Sequence, residues 1–203
     1  MISEQMLYWL KRAAPWKPIL IVDIDGVVLN NEHRLHHIVH TVDGVQVNRT
    51  DADWVSFHAN GHLDTPGAAA AFIEAASNAF TPVFVTARVA FGEQRKHVHD
   101  MLAKTLPKVK DFNWRRGCPS KDEIFPLFMR APNENWEANK VNGGDAIVHH
   151  SEYKRVAIHW LRAQGINPMA GLDDSLTICK MFAEEGLLSL RVHNHVADAA
   201  LMR

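Results

Sequence analysis

The stretch Ile19-Leu20-Ile21-Val22-Asp23-Ile24-Asp25-Gly26 decides how this chain is read. Four consecutive aliphatic residues without polar alternation fit a strand covered on both faces, as in the middle of a parallel sheet. The run ends in two carboxylates at i and i+2, which leave a strand pointing the same way, and Gly26 permits the sharp turn that exposes them. Ligands of open parallel sheets gather beyond the carboxyl ends of the strands, so an acidic pair at this place is a candidate site. On this motif alone it reads equally as a calcium-binding or helix-capping pair.

Outward from that strand the chain alternates helix and strand. Upstream, Leu7, Leu10 and Ala14 recur at helical spacing until Pro15 and Pro18 break the pattern, which predicts a short packing helix. Downstream, the alanine-rich run Ala68 to Ala76, with Phe72 and Ile73 on one side, predicts a helix leading into the strand Val83-Phe84-Val85. Helices are expected from about Gly92 to Leu106, Ser151 to Gln164 and Ser175 to Glu185, the last ending at Gly186. Strands are expected at Ile124 to Met129, Met169 to Leu172 and Leu187 to Val192. This order predicts an α/β, Rossmann-like fold with a parallel central sheet flanked by helices. Asn30 to about Asp64 has many histidines and no sustained apolar period, and reads as a small insertion after the first strand, beside the site. Pro107 to Ser120 and Ala131 to His150 read as loops, the second as a substrate-facing segment.

A chain of 203 residues fits one domain carrying such an insertion. With 22 basic residues against 23 acidic ones, the whole molecule offers little field for gathering duplex DNA, although a local basic patch stays open. Cys118 and Cys179 lie far apart without CxxC spacing, which predicts free thiols and a cytoplasmic location. The first sixteen residues contain Glu4, Lys11 and Arg12 and no long apolar run, so no export or membrane segment is expected.

Three further signals fall at strand ends or helix starts. In Val83-Phe84-Val85-Thr86-Ala87-Arg88 a small hydroxyl ends an apolar strand, and that hydroxyl with the amide after it can hold phosphoryl oxygens. Thr86 fits a helix cap, and Arg88 a surface ion pair, just as well. Lys154, early in a predicted helix, is a compact cation able to screen charge between a carboxylate and a phosphate, or else a solvated surface lysine. Gly171-Leu172-Asp173-Asp174-Ser175 sends paired acids from another short strand, where they can join Asp23 as hard oxygen ligands for magnesium or cap the next helix. In the acidic pair itself, one ionised carboxylate suits attack on phosphorus while its neighbour, its pKa raised by the like charge, can stay protonated to serve the leaving oxygen.

Taken in order, these residues resemble the phosphatases of the haloacid dehalogenase superfamily, whose motifs are DxDG, an apolar strand ending in Thr or Ser, a lysine, and a strand ending in DD. The resemblance runs from Ile19 to about Val192. It implies a magnesium-dependent phosphomonoester hydrolase working through an aspartyl-phosphate. Asp23 is then the nucleophile, Asp25 the general acid and base, and Thr86 and Lys154 the phosphate binders. Asp23, Asp173, Asp174 and the backbone carbonyl of Asp25 would hold Mg2+. Within the insertion, His33-Arg34-Leu35-His36, Asp53-Trp54 with Phe57, and Asp64-Thr65-Pro66, together with Leu127-Phe128-Met129-Arg130, are similar to the phosphatase domain of phage polynucleotide kinases and its stand-alone relatives. That narrower resemblance implies a nucleotide or a nucleic-acid 3′-phosphate end as substrate, with His33, Arg34, Ala87, Arg88 and Arg130 around it. Val27 replaces the usual Thr of that family and Thr86-Ala87-Arg88 its more frequent TGR, and no GxxxxGK[ST] kinase loop occurs. Two other readings stay open: a catalytically silent module binding nucleotides or a protein, and a phosphotransferase that passes the phosphoryl group to an alcohol.

Other features carry less. His33, His36, His37 and His40 would share one helix face, but no acidic or cysteine cluster completes a zinc site there. Trp114-Arg115-Arg116 joins a stacking plane to two cations and fits a base-binding element or a solvated turn. Trp54, Phe57, Trp136 and Trp160 read as packing residues. His193 and His195 flank Asn194 at the end of the last strand, in a spacing too short for a nuclease motif.

Overall fold

A computed structural model of the protein describes residues 2–38, 41–42, 45–46, 51–90, 93–120, 122–130 and 150–193. In chain order its helices are α1 (Glu4–Ala13), α2 (Asp51–Ala59), α3 (Ala70–Ala76), α4 (Gln94–Thr105), α5 (Pro107–Arg115), α6 (His150–Ala163) and α7 (Leu176–Glu184). Its strands are β1 (Ile19–Val22), β2 (Leu29–Asn30), β3 (Thr41–Val42), β4 (Val45–Gln46), β5 (Thr65–Pro66), β6 (Thr81–Val89), β7 (Leu127–Arg130), β8 (Pro168–Asp173) and β9 (Leu188–Arg191).

Five of these strands form one sheet in the order β7-β6-β1-β8-β9, and every pairing in it is parallel. The aliphatic run of β1 thus lies in the centre, and all four of its side chains are buried. After β1 the chain builds outward through β6 to β7, then crosses back to place β8 on the other side of β1 and β9 at the far edge. This reversal around β1 is the topological switch point at which such sheets open a crevice. Val22 is level with Phe84 on one side and Leu172 on the other, so Asp23 and Asp173, the next residues, leave the sheet side by side. The amide of Asp23 donates to the carbonyl of Leu172 at 3.0 Å and holds that level.

The helices follow their apolar faces. Ser3 caps α1 by accepting from the amide of Met6, and Met6, Trp9, Leu10 and Ala13 of that helix are buried in the core. In α3 Ile73 is buried, with Ala70, while Phe72 is half exposed, so Phe72 and Ile73 do not share a face as the sequence reading expected. Neighbours on a helix stand about 100° apart, and here Ile73 enters the core while Phe72 does not.

Pro107 to Ser120, expected to be a loop, contains α5. Proline at its first position needs no amide partner there, Val109 and Asn113 face inward, and the Asn113 side-chain amide donates to the carbonyl of Ile124 at 3.0 Å. Its apolar face is too narrow to show as a period over nine residues. The insertion is also more regular than expected. β2 and β5 pair antiparallel and close its neck, with Asn30 opposite Thr65. Glu32–His37 is a 3-10 helix rather than an α-helix, so His33 and His36 line up along it while His37 stacks on His36 at 4.0 Å between ring centroids. His40, Trp136, the segment 131–149, His195 and the side chain of Trp54 lie outside the described residues.

Candidate active site

Asp23 follows β1, Asp173 ends β8, Asp174 follows it, and Lys154 stands in the second turn of α6. These four meet. One oxygen from each of the three carboxylates falls within 4.8 Å of the others. The Lys154 ammonium lies 2.7 Å from Asp23 Oδ1 and 2.5 Å from Asp173 Oδ2. Lys154 and Asp173 are fully buried and Asp23 nearly so. The other oxygen of Asp173 accepts from the amide of Ser175 at 2.9 Å. Asp173 thereby ties down the start of α7, whereas the Ser175 side chain makes no cap.

Three carboxylates against one ammonium leave this buried cluster with surplus negative charge. Its acids respond accordingly. Burial, and then the charges of Asp173, Asp174 and Asp25, push the Asp23 carboxyl well above its usual range despite Lys154. Burial and the neighbouring Asp173 raise Asp174 to about 7. Burial acts to lower the Lys154 ammonium, but Asp173 and Asp23 outweigh it and hold the group charged. A cluster of hard oxygen donors that clings to protons is the kind of site a divalent cation such as magnesium neutralises, so Asp23, Asp173 and Asp174 fit that ion.

Asp25 has a different setting. Gly26, with φ of 78°, turns the chain back after it, and the Asp25 side chain meets two guanidinium groups. Arg88 grips both its oxygens, Nε to Oδ2 at 2.9 Å and NH2 to Oδ1 at 2.6 Å. Arg34 NH2 donates to Oδ1 at 2.5 Å, and the Thr86 hydroxyl lies 3.4 Å from Oδ2. Asp64 faces both arginines from the other side: it takes Arg34 in a fork at 2.7 and 2.6 Å and Arg88 NH2 at 3.0 Å. Two acids and two arginines balance, and the result inverts the sequence expectation. Burial alone would raise the Asp25 carboxyl, but the Arg88 guanidinium, then Arg34 and His58, hold it far below the ordinary carboxylate range. The raised pKa values belong to Asp23 and Asp174 instead.

Nothing among known families settles the matter. No protein-family model matches this chain, and no curated protein matches it. The site therefore stands on its own geometry.

The remaining expected residues distribute around this centre. Thr86 is buried in β6, its hydroxyl accepts the Arg88 amide at 3.3 Å, and Ala87 beside it is half-buried. His33 sits at the rim, 3.7 Å from Asp64 and 3.3 Å from the carbonyl of Asn60. Arg34, expected to border the pocket, is one of the largest fully buried side chains, and Arg88 is buried with it. Arg130 ends β7, next but one to β1 in the sheet. The Asp25 side chain is turned to the arginines and stands apart from the carboxylate cluster; the atom expected to face a metal is its backbone carbonyl. Asp64 is the site residue that sequence reasoning passed over; its signal was the Asp64-Thr65-Pro66 run, read there only as part of a resemblance. Trp114 is half exposed at the end of α5, and Arg116 stacks over Phe112 at 5.1 Å. Among the described residues no histidine joins a metal-type cluster, and no helix is long and apolar enough to cross a membrane.

Proposed function

We propose that this protein is a magnesium-dependent phosphomonoesterase with the haloacid dehalogenase arrangement, in which Asp23 becomes transiently phosphorylated and the segment between β2 and β5 acts as a small cap. The observation that carries this reading is the Lys154 ammonium bridging Asp23 and Asp173, with Asp174 within metal-ligand reach, at the sheet's switch point. A nucleophilic carboxylate has to approach a dianionic phosphate, and fixed positive charge beside it lowers that repulsion. A divalent cation held by Asp23, Asp173 and Asp174 would add Lewis-acid charge neutralisation at the phosphoryl oxygens.

The chain's own groups divide the rest. Asp23 attacks phosphorus in line as the ester P–O bond breaks, and Lys154 screens the transferred group. Asp25, held ionised but made a weak base by two arginines, suits the second half by orienting the water that attacks the aspartyl-phosphate; the bond from Asp23 to phosphorus breaks and the water's protons leave with inorganic phosphate. An ionised Asp25 is a poor proton donor to a departing alkoxide, so substrates with acidic leaving groups should turn over fastest. The insertion runs that resemble the phosphatase domain of phage polynucleotide kinases, with His33 exposed at the rim, support a nucleotidyl substrate, a 3′-phosphate end being favoured only slightly over a free mononucleotide.

The test is phosphate release from p-nitrophenyl phosphate with magnesium, with chelator, and for Asp23→Asn. Turnover only in the first arm is expected, and turnover that survives chelation or the substitution rejects the mechanism. A parallel comparison of 3′-phosphorylated oligonucleotides with nucleoside monophosphates addresses the substrate. Equal inertness of both, beside turnover of a sugar phosphate, removes the nucleotide assignment.

A further inference from the structure

The network of four charged groups, Asp25, Arg34, Arg88 and Asp64, is sealed on every side but one. The side chains of Arg34 and Asp64 have no exposure and Arg88 has 2%, whereas the Asp25 carboxylate keeps 22%. Such a network presents a single edge to solvent, and that edge is Asp25. What holds the arginines comes from one short stretch, Phe57 to Asp64. The Phe57 ring lies 3.9 Å from the Arg34 guanidinium carbon, and the Phe57 carbonyl accepts Arg34 NH1 at 3.1 Å. Gly61 faces Arg88: a Cβ placed there would meet Arg88 NH1 at 3.0 Å, tighter than side chains normally pack. Asp64 then closes the turn, its amide donating to the Gly61 carbonyl at 3.1 Å and its carboxylate reaching both guanidinium groups.

We propose that Phe57, Gly61 and Asp64 are positioning residues that seat Arg34 and Arg88 as a two-armed clamp on Asp25, fixing the rotamer of that carboxylate at the mouth of the site. The inference rests on the function proposed above for its catalytic consequence, but the seating itself does not. Each contact has its own arm: Phe57 governs Arg34, Gly61 governs Arg88, and Asp64 governs both. At Gly61 space rather than backbone conformation is the constraint, since a side chain there would push the Arg88 guanidinium from its seat by a few tenths of an ångström. Arg34 and Arg88 reach the substrate only through Asp25 on this account, because most of their donors are already taken by Asp25, Asp64 and Phe57.

Arginine Nε–H signals in nitrogen-proton NMR of the full-length protein read the seating directly, with assignment by Arg34→Lys and Arg88→Lys. Both signals should be slow to exchange with solvent. Gly61→Ala should move the Arg88 signal and leave that of Arg34, and Phe57→Leu should do the reverse. In steady-state turnover of p-nitrophenyl phosphate with magnesium, each variant should lose about 10–100-fold in kcat, as expected for a misplaced catalytic group, while KM stays within about twofold. Gly61→Ala combined with Arg88→Lys should be no slower than Arg88→Lys alone. Unmoved arginine signals, or a loss that adds to that of Arg88→Lys, overturn the proposal, as does a shifted signal with unchanged kcat. If the unmodified protein shows no turnover, the proposed activity fails while the two signals still decide the seating. Should Gly61→Ala not fold, Phe57→Leu supplies the same pair of readings on the other arm.

Discussion

Asp23 and Asp25 stand two residues apart at the head of β1, yet the charge around each is of opposite kind. Asp23 belongs to a cluster with surplus negative charge, three acids around Lys154, in which Asp23 and Asp174 hold on to protons. Asp25 belongs to a balanced set of two acids and two arginines and is held ionised. Surplus buried charge is costly by itself and calls for a further cation, which is how a site stores affinity for a metal. Balanced charge calls for nothing and serves geometry. The same residue type thus becomes a ligand-seeking group or a fixed tool according to its counter-charges.

Removing an acid should therefore have contrary effects in the two places. The largest effect is expected for Asp23→Asn, which should cut turnover of p-nitrophenyl phosphate by about 10^4-fold or more, the scale seen when a nucleophile is lost. Without metal the same change should raise the midpoint of thermal unfolding, because it relieves like-charge repulsion. Next comes Asp64→Ala, which leaves two buried guanidinium groups sharing one carboxylate. It should destabilise the protein by about 3–5 kcal/mol in denaturant unfolding. Equal stability changes in the two variants would erase the contrast.

Magnesium offers a third probe. The folded-state pKa of Asp174, about 7, lies above its ordinary 3.8, so the folded protein binds protons more tightly than the unfolded chain between these values. Without metal, that contribution to stability is present at low pH and is lost as pH rises through about 7. A bound cation replaces the proton, so the magnesium-induced gain in unfolding midpoint should grow from pH 5 to pH 8. At a hundredfold excess over the dissociation constant the gain should be about 2.7 kcal/mol. A gain that shrinks with rising pH would contradict the surplus of negative charge.

The smallest effect concerns a buried titratable ring whose nitrogens make no hydrogen bond. Both ring nitrogens of His99 are buried without a hydrogen-bond partner, and the ring stacks on Phe125. Burial, then Arg95, lowers its pKa from 6.5 to about 4, so its neutral form is favoured on folding. Stability from this residue is present above pH 6.5 and is lost as pH falls toward 4. His99→Phe should flatten that acid limb in thermal scans and stabilise the protein by about 1 kcal/mol at pH 5.

The sheet was legible because β1 and β8 are apolar runs with acids at their ends and β6 carries the apolar run Val83 to Val85, although β6 continues past Thr86 to Val89, and burial on both faces writes itself into composition. The anionic cluster was legible for the same reason, each member being the first polar group past a strand or early in a helix. The arginine clamp was not. Nothing in local sequence says that Arg34 and Arg88, 54 positions apart, share Asp64. Like charge in Asp23-Ile24-Asp25 pointed to a raised pKa on one of the pair, by resemblance the general acid Asp25, and only the packing of the insertion against β6 reverses that. Helix α5 escaped because nine residues are too few to display a period among lysines.

The proposed mechanism requires the Asp23 carboxylate to take up a phosphoryl group. Acid-quenching the protein during turnover of p-nitrophenyl phosphate with magnesium, reducing the acyl phosphate with borohydride and sequencing the peptides by mass spectrometry asks this directly. Reduction confined to Asp23, and absent from Asp23→Asn, is the predicted result. Steady turnover with Asp23 unmodified, or with the label on another residue, would contradict the account.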